Sequence, residues 1–448
     1  MTSARFTYTV VASSLHDPLA VEAIVAPITT LADTLGGRRN NSFDGSEVGG
    51  AQAEAERDEA ERGPEPAVEI PDLFIVATGG TEQVILDLVA RRRVTHADTP
   101  TVLIAHPAHN SLPASLEALA ALQQTHRRGR IVYLAGDTGP TPGDSRVPDR
   151  VALDEAVADL EAILRFRTAR LGVVGGPSSW LVASSPDAEV VHRRWGPHVE
   201  VVDPSRMIEL TRTPVVPTGP LAERFATGAS PVDDATHVSV DRVAVEAAAR
   251  VGAALDDVVD GNRLDAVTVR CFDLLGDPGT SGCLALASLN DEGIVAGCEG
   301  DLPSTLGMMW VRHLLGQTSW MANPSRVDRA GNRLVLAHCT VAPSLTEHYS
   351  LSTHFESGIG VGISGHFAEQ QVTLLRVGGR DLERCWIAEG AIVESGDDPD
   401  LCRTQVTIEL SDGSVDDLLD HPLGNHIVMA SGHHGERLRR WWRMAIAD

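Results

Sequence analysis

Lysine is absent from this 448-residue chain: all 37 basic side chains are arginine. Schiff-base chemistry needs an amine nucleophile, so lysine-type aldolases and pyridoxal-phosphate enzymes are excluded. No apolar run approaches the roughly 20 residues that span a bilayer, so no membrane-crossing helix is expected. The opening stretch MTSARFTYTVVASSLHD has no basic region followed by a long apolar segment, so no secretory signal is expected and the chain reads as cytoplasmic. The six cysteines (Cys271, Cys283, Cys298, Cys339, Cys385 and Cys402) include no CxxC pair. They read as reduced, mostly buried thiols, not as a zinc ribbon or a disulfide framework. Neither DLFIVATGG nor RLGVVGG continues into a P-loop or GxGxxG pattern, so neither carries a nucleotide fingerprint.

Acid is abundant. The formal charge of −25 disfavours nucleic acid and anionic membranes as partners, because phosphate-rich surfaces are repelled. Many carboxylates without lysine fit a halophilic protein, whose hydrated acidic surface keeps it soluble in a salt-rich cytoplasm. A hydrophobic content of 43% suffices for packed interiors, and the length exceeds what one core accommodates.

The chain first alternates strand and helix. FTYTVVASS, DLFIVATGG, PTVLIAHP and RIVYLAGD read as strands, separated by PLAVEAIVAPITTLADTLGG, TEQVILDLVARRR and HNSLPASLEALAALQQTHRRG as helices. Such alternation predicts a doubly wound parallel sheet. Residues 38–69, polar, acidic and glycine-rich, read as an exposed disordered insertion. The helix VALDEAVADLEAILRFRTAR leads to a second strand-Gly-Gly unit, RLGVVGG, and thus a second parallel-sheet domain. Beyond a proline-rich loop near 214–231 come a helix at VSVDRVAVEAAARVGAALDDVVDG and a strand at LDAVTVRCFDLL. GCLALASLNDEG and IVAGCEGD complete that sheet. From about Gln317, short strands with turns predict an antiparallel barrel or sandwich, closed by the helix GERLRRWWRMAIA. The expected fold is α/β: two tandem doubly wound parallel-sheet domains (1–168 and 169–318), then a β-rich, barrel-like domain (319–448) with a terminal helix.

IVAGCEGDLPSTLGMMWVRH (294–313) carries the most chemistry. A buried strand ends in Glu299 and Asp301 and runs directly into a helix opened by Pro303. In open α/β sheets ligands gather where the strands end. His338, at the end of RLVLAHC, and His426, in the PLGNH turn, occupy comparable places, and one carboxylate with two imidazoles makes a divalent-metal set. Asp301 has two readings, a catalytic carboxylate or the N-cap of the following helix, a role Ser304 can share. His354 and Glu356, before a Gly-rich turn, are either sugar-hydroxyl contacts or a local turn network. Arg270 and Asp273 either pair with each other or line the cleft, where Arg270 would accept an acidic substituent.

The strings LDAVTVRCFDLL, TSGCLALASLND, AGCEGD, WMANP, LAHC and GNH, together with the domain order, resemble the L-fucose isomerase/L-arabinose isomerase superfamily. The likeness is strongest from about Leu264 to His426 and suggests a compact, fucose-isomerase-like branch. It implies a divalent cation, typically Mn²⁺, and interconversion of a free aldose and ketose by enediol proton transfer. Glu299 then matches the acidic metal ligand and acid/base residue, while His338 and His426 match metal-binding histidines. The family's second acidic ligand falls in WMANP, where this chain has Ala322 and Asn323. Asn323 offers a neutral oxygen to a cation but cannot take a proton as a carboxylate does. Relatives assemble as trimers or hexamers in which a neighbouring subunit's first domain closes the pocket. His106, His109 and Asn110 are therefore candidates for contacting the far end of the sugar. Alternatives on the same scaffold are an isomerase of an acidic or sulfonated hexose and a non-catalytic sugar-binding homologue.

Overall fold

A computed structural model describes residues 4–40, 69–92, 99–135, 146–213, 219–230 and 240–447. Residues 41–68 of the predicted insertion at 38–69 lie outside them, as do 214–218 and 231 of the proline-rich loop near 214–231. Arg38 and Arg39, expected in the insertion, are strand residues, and Gly219–Gly228, expected in the loop, is a helix. The chain divides into two compact units, one of Met1–Arg165 with Trp441–Asp448 and one of Phe166–Arg440.

The first unit holds strands β1 (Phe6–Val11), β2 (Gly37–Arg39), β3 (Asp72–Val76), β4 (Thr101–Ala105) and β5 (Gly129–Tyr133). They form one parallel sheet in the order β2-β1-β3-β4-β5. The central strands β3 and β4 are apolar at every position after the first, because the middle of a parallel sheet covered by helices is buried on both faces, whereas the edge strands β2 and β5 carry arginine. Val11, Phe74, Val76 and Leu103 pack on Ile85 and Val89 of the helix Glu82–Ala90, and on Ala114, Ala118 and Leu122 of Ser111–Gln124. Trp441 is buried here and donates its indole N–H to the Asp159 carbonyl at 3.0 Å.

The second unit contains a parallel sheet and a barrel. Strands β6 (Arg170–Val174), β7 (His198–Val202), β8 (Ala266–Val269) and β9 (Val295–Cys298) pair in the order β7-β6-β8-β9. The chain continues through β10 (Trp320–Asp328), β11 (Arg333–His338), β12 (His348–Ser352), β13 (Gly362–His366), β14 (Gln371–Gly378), β15 (Arg384–Gly396), β16 (Thr404–Asp412) and β17 (Ile427–Ser431). Six of these close a barrel in the order β10-β11-β16-β15-β14-β17, and β12 and β13 form a separate two-stranded ribbon. Alternate residues Leu334 and Leu336, Val372 and Leu374, and Val406 and Ile408 fill a shared core, as a period of two requires. Parallel α/β sheets followed by a barrel and a terminal helix, Gly435–Ala445, are the architecture the sequence predicts.

One predicted strand is a helix. GCLALASLNDEG does not join the sheet: Cys283–Glu292 is helical and ends at Gly293, whose φ is +91°. Its residues from Cys283 to Asn290 are all buried. A short, continuously apolar run does not distinguish a buried helix from a buried strand, because neither shows a period. The helices Ala188–Trp195, Ser205–Arg212 and Gly219–Gly228, the strand β7 and the ribbon strand β12 were not legible in the sequence.

A candidate metal site at the strand ends of the second unit

Strands β6, β8 and β9 run parallel and end side by side, followed by Gly175-Gly176, Arg270 and Glu299. Glu299 leaves β9 in the left-handed region, with φ +62°, and Gly300 follows at +74°. A side chain at Gly300 would strike the Gly176 carbonyl and Pro177. The Ser178 N–H also donates to the Glu299 carbonyl at 2.8 Å. The tip is thus clamped against the loop after β6. A non-glycine residue held at positive φ is strained, and such strain concentrates at functional positions.

The barrel supplies the other groups. His338 ends β11 and His426 immediately precedes β17. Their ring centroids lie 5.4 Å apart. One ligand atom from each of Glu299, His338 and His426 falls within 4.8 Å of the others, and all three residues are buried. A second such group among the described residues, Glu347, His348 and His366 on the β12–β13 ribbon, is exposed.

Asp301 stands behind this cluster. Its carboxylate accepts from the Ser304 N–H at 2.8 Å, capping the helix Leu302–Leu315, and contacts His426 Nδ1 at 2.8 Å. Arg376, on β14 and only 1% exposed, donates one nitrogen to both Asp301 oxygens at 3.3 and 3.1 Å, and to Ser304 Oγ. Its other terminal nitrogen donates to Ser184 Oγ at 2.6 Å. Gly424 permits this approach, since a side chain there would overlap the guanidinium. The N-cap reading of Asp301 is what the structure shows, and the same carboxylate is also the partner of His426. Its oxygens are engaged by Ser304, Arg376 and His426.

Electrostatics follow from this wiring. Burial pushes the Asp301 carboxyl up, but the Arg376 charge and the His426 hydrogen bond outweigh it and hold it well below the usual range. Glu299, 7% exposed, is likewise pushed up by burial and brought below its ordinary value by His426, His338 and the Trp180 indole. Burial and the neighbouring His426 hold His338 down to about 3, so it stays neutral while its Nδ1 pairs with Thr340 Oγ1 at 2.8 Å. Burial lowers His426 as well, yet the Asp301 hydrogen bond and the Glu299 charge raise it to about 9.

The residues fit a divalent cation. His426 Nε2 is buried without a hydrogen-bond partner and lies 3.5 Å from Glu299 Oε1, a Coulombic approach too long for a hydrogen bond. A carboxylate behind one ring nitrogen, with the other turned towards a second carboxylate, is the usual support of a metal-ligating histidine. One oxygen and two nitrogens suit Mn²⁺, Fe²⁺, Co²⁺ or Zn²⁺.

The remaining candidates fall in different places. Asn323 sits on β10 opposite Ala337, one residue from His338. His354 is buried, with Nδ1 on Ser357 Oγ at 3.0 Å; burial first, and then the Arg403 charge, lower its pKa against the pull of Glu299. Glu356 is exposed, and partial burial together with the Glu299 charge raises its carboxyl. The charge of Glu299 thus reaches both residues. Arg270 is half-exposed and paired through Nε with Asp273 at 2.8 Å. In the first unit, His109 and Asn110, both at positive φ, line a cleft of about 560 Å³ with His16, Gly79 and Gly80. His106 is instead buried, its ring held by the Ala77 carbonyl and the Ala108 N–H at 3.1 and 3.3 Å.

Sequence reasoning missed Trp180 and Arg376. The Trp180 indole N–H donates to Glu299 Oε2 at 2.6 Å. Arg376 lies inside QVTLLRVGG, where a charge in an otherwise apolar strand was the available signal.

No family model matches this chain. Over 249 residues, 52% of this chain and 53% of the relative, it is 24% identical to a sulfoquinovose isomerase of Alkalicoccus urumqiensis. A sulfoquinovose isomerase of Clostridium sp. (strain MSTE9) is 33% identical over 139 residues, 30% of this chain and 31% of the relative. One from Priestia aryabhattai is 26% identical over 196 residues, 42% of this chain and 44% of the relative. The chain spans about half the length, or less, of the curated relatives it matches.

Proposed function

We propose that this protein is a divalent-metal-dependent aldose–ketose isomerase whose substrate is a sulfonated hexose. The observation that carries the reading is the buried convergence of Glu299, His338 and His426 at the strand ends, with Asp301 and Arg376 behind them. Likeness to sulfoquinovose isomerases supports both the reaction class and the acidic substituent. The resemblance to the L-fucose/L-arabinose isomerase superfamily points the same way, with Mn²⁺ as the expected ion.

Moving a carbonyl between C1 and C2 removes a proton from one carbon and returns it to the next. A bound cation supplies Lewis acidity, polarising the carbonyl and stabilising negative charge on the two oxygens. Glu299 stays ionised, so one oxygen serves as a ligand while the Trp180 indole fixes the other. Asp301 is locked by Arg376 and His426, and Asn323 cannot accept a proton. Asp273 is paired with Arg270, and Glu356, whose carboxyl feels the Glu299 charge, is the second carboxylate of this reading. Raised by burial and by Glu299, it is suited to taking and returning a proton. Arg403, buried and donating through Nε to the Thr353 carbonyl at 2.8 Å, lowers the pKa of His354 by its charge and supplies positive charge for a sulfonate.

The test is a panel of sulfoquinovose, D-glucose, L-fucose and L-arabinose incubated with Mn²⁺ in D₂O. Sulfoquinovose should convert to its ketose with deuterium at C1, and the aldose recovered at equilibrium should carry deuterium at C2. Glu299→Gln should abolish turnover while keeping the wild-type circular-dichroism melt. An active Glu299→Gln variant would remove this residue from the mechanism, and no conversion of any sugar by the wild type would leave a sugar-binding homologue.

A further inference from the structure

We infer that Trp180 serves the cleft twice: its indole N–H positions Glu299, and its exposed ring is the platform on which the sugar's carbon chain lies. This rests on the reading of the site given above.

The loop bearing Trp180 is pinned where it matters. Ser178 donates to the Glu299 carbonyl, and Gly300 is seated against Gly176 and Pro177. Leu181 N–H donates to the Ser178 carbonyl at 3.0 Å, Ser184 N–H donates to the Leu181 carbonyl at 3.2 Å, and Ser184 Oγ accepts from Arg376. The indole is therefore tied to the two sides of the metal site, not left on a free loop. Its N–H reaches Glu299 Oε2 at 2.6 Å, a charge-assisted bond that fixes which oxygen faces the histidines.

The rest of the ring is open. Trp180 is 49% exposed. Phe272 meets it edge-on at 4.8 Å and 79°, and His354 meets Phe272 edge-on at 5.4 Å and 86°. A lone exposed aromatic needs no explanation. Here three rings form a wall that begins at a ligand carboxylate and ends at the histidine beside Glu356. A sugar offers an apolar face of C–H bonds and a polar edge of hydroxyls. Such a wall matches that face and leaves the edge to the ionisable groups, the usual division in ligand pockets.

The two roles separate by substitution in the full chain. Trp180→Phe keeps a ring and removes the donor, whereas Trp180→Gln keeps an N–H donor and removes the ring. In calorimetric titration with Mn²⁺, the Phe variant should bind about tenfold more weakly and the Gln variant within about threefold of wild type, following the effect of lost support behind a metal ligand. With Mn²⁺ saturating and sulfoquinovose as substrate, the Gln variant should raise KM about five- to tenfold while kcat changes little. The Phe variant should keep KM within about twofold. The emission present in wild type and missing from the Phe variant isolates Trp180, and it should fall when Mn²⁺ binds. Equal Mn²⁺ affinity in all three proteins overturns the positioning role, and an unchanged KM in the Gln variant overturns the platform. Should the wild type convert no sugar, the isomerase reading fails. The Mn²⁺ titration still decides the first role, and a sulfoquinovose-induced change in Trp180 emission, present or absent, decides the second.

Discussion

Arg376 and His106 show how single side chains set the terms here. Arg376 is a fully buried cation whose partners are Asp301, Ser304, Ser184 and the Leu423 carbonyl. Removing one member of a buried pair strands the other, typically at about 3–5 kcal/mol. Arg376→Met should lower stability by that amount, read as the midpoint of urea unfolding, and adding Asp301→Leu should regain part of it. A single variant as stable as wild type would mean that Asp301 needs no counter-charge. His106 gives a pH dependence. The Ala77 carbonyl can only accept and the Ala108 N–H can only donate, which fixes the neutral tautomer with the proton on Nε2. Burial lowers its pKa from the ordinary 6.5. The unfolded chain therefore takes up a proton first as pH falls. This contribution to stability is complete above about 6.5 and is lost progressively below it. His106→Gln should flatten the fall in melting temperature between about pH 7.5 and 5.5, and identical slopes would refute the assignment.

At the scale of elements, the decisive piece is the tip where β9 becomes the helix Leu302–Leu315. Cys298 ends the strand, Glu299 and Gly300 take positive φ, and Asp301 caps the helix, so four consecutive residues turn the chain and aim a carboxylate. Glycine at 300 is required twice over, by its φ of +74° and by the Gly176 carbonyl against it. Gly300→Ala should destabilise by about 1–3 kcal/mol and weaken Mn²⁺ binding, checked by thermal melts and calorimetry. Wild-type behaviour would show that the loop after β6 yields easily. The sequence marked this tip through acid and glycine following an apolar run. It did not mark Trp180, because contact between residues 119 positions apart leaves no local pattern.

For the whole molecule, the charge of −25 is the dominant quantity. Like charges repel in the compact state, and salt screens them, with a Debye length falling from about 10 Å at 0.1 M to about 3 Å at 1 M. The melting temperature should therefore climb as NaCl rises from 0.1 to 2 M, measured by calorimetry. A flat or falling curve would argue against the salt-rich setting that the lysine-free, acidic composition suggests. No described helix is long and apolar enough to cross a membrane.

Composition and period carried much of this protein. Alternating apolar strands and amphipathic helices dictated parallel sheets, and short strands of period two pointed to an antiparallel barrel or sandwich, of which the fold is the barrel. Glu299, His338 and His426 could be picked out because each ends or borders a strand whose burial demands a reason for a polar group. The failures share a cause. GCLALASLNDEG is apolar throughout, so burial erased the period that separates helix from strand, and only packing chose the helix. Arg376 and Trp180 matter for what they touch across the fold, and Asp301 became both cap and histidine partner once β14 and β17 were brought beside it. Local sequence determines which residues must be buried and in what rhythm. Which buried polar groups meet is decided by tertiary structure, since each needs a partner from a distant segment.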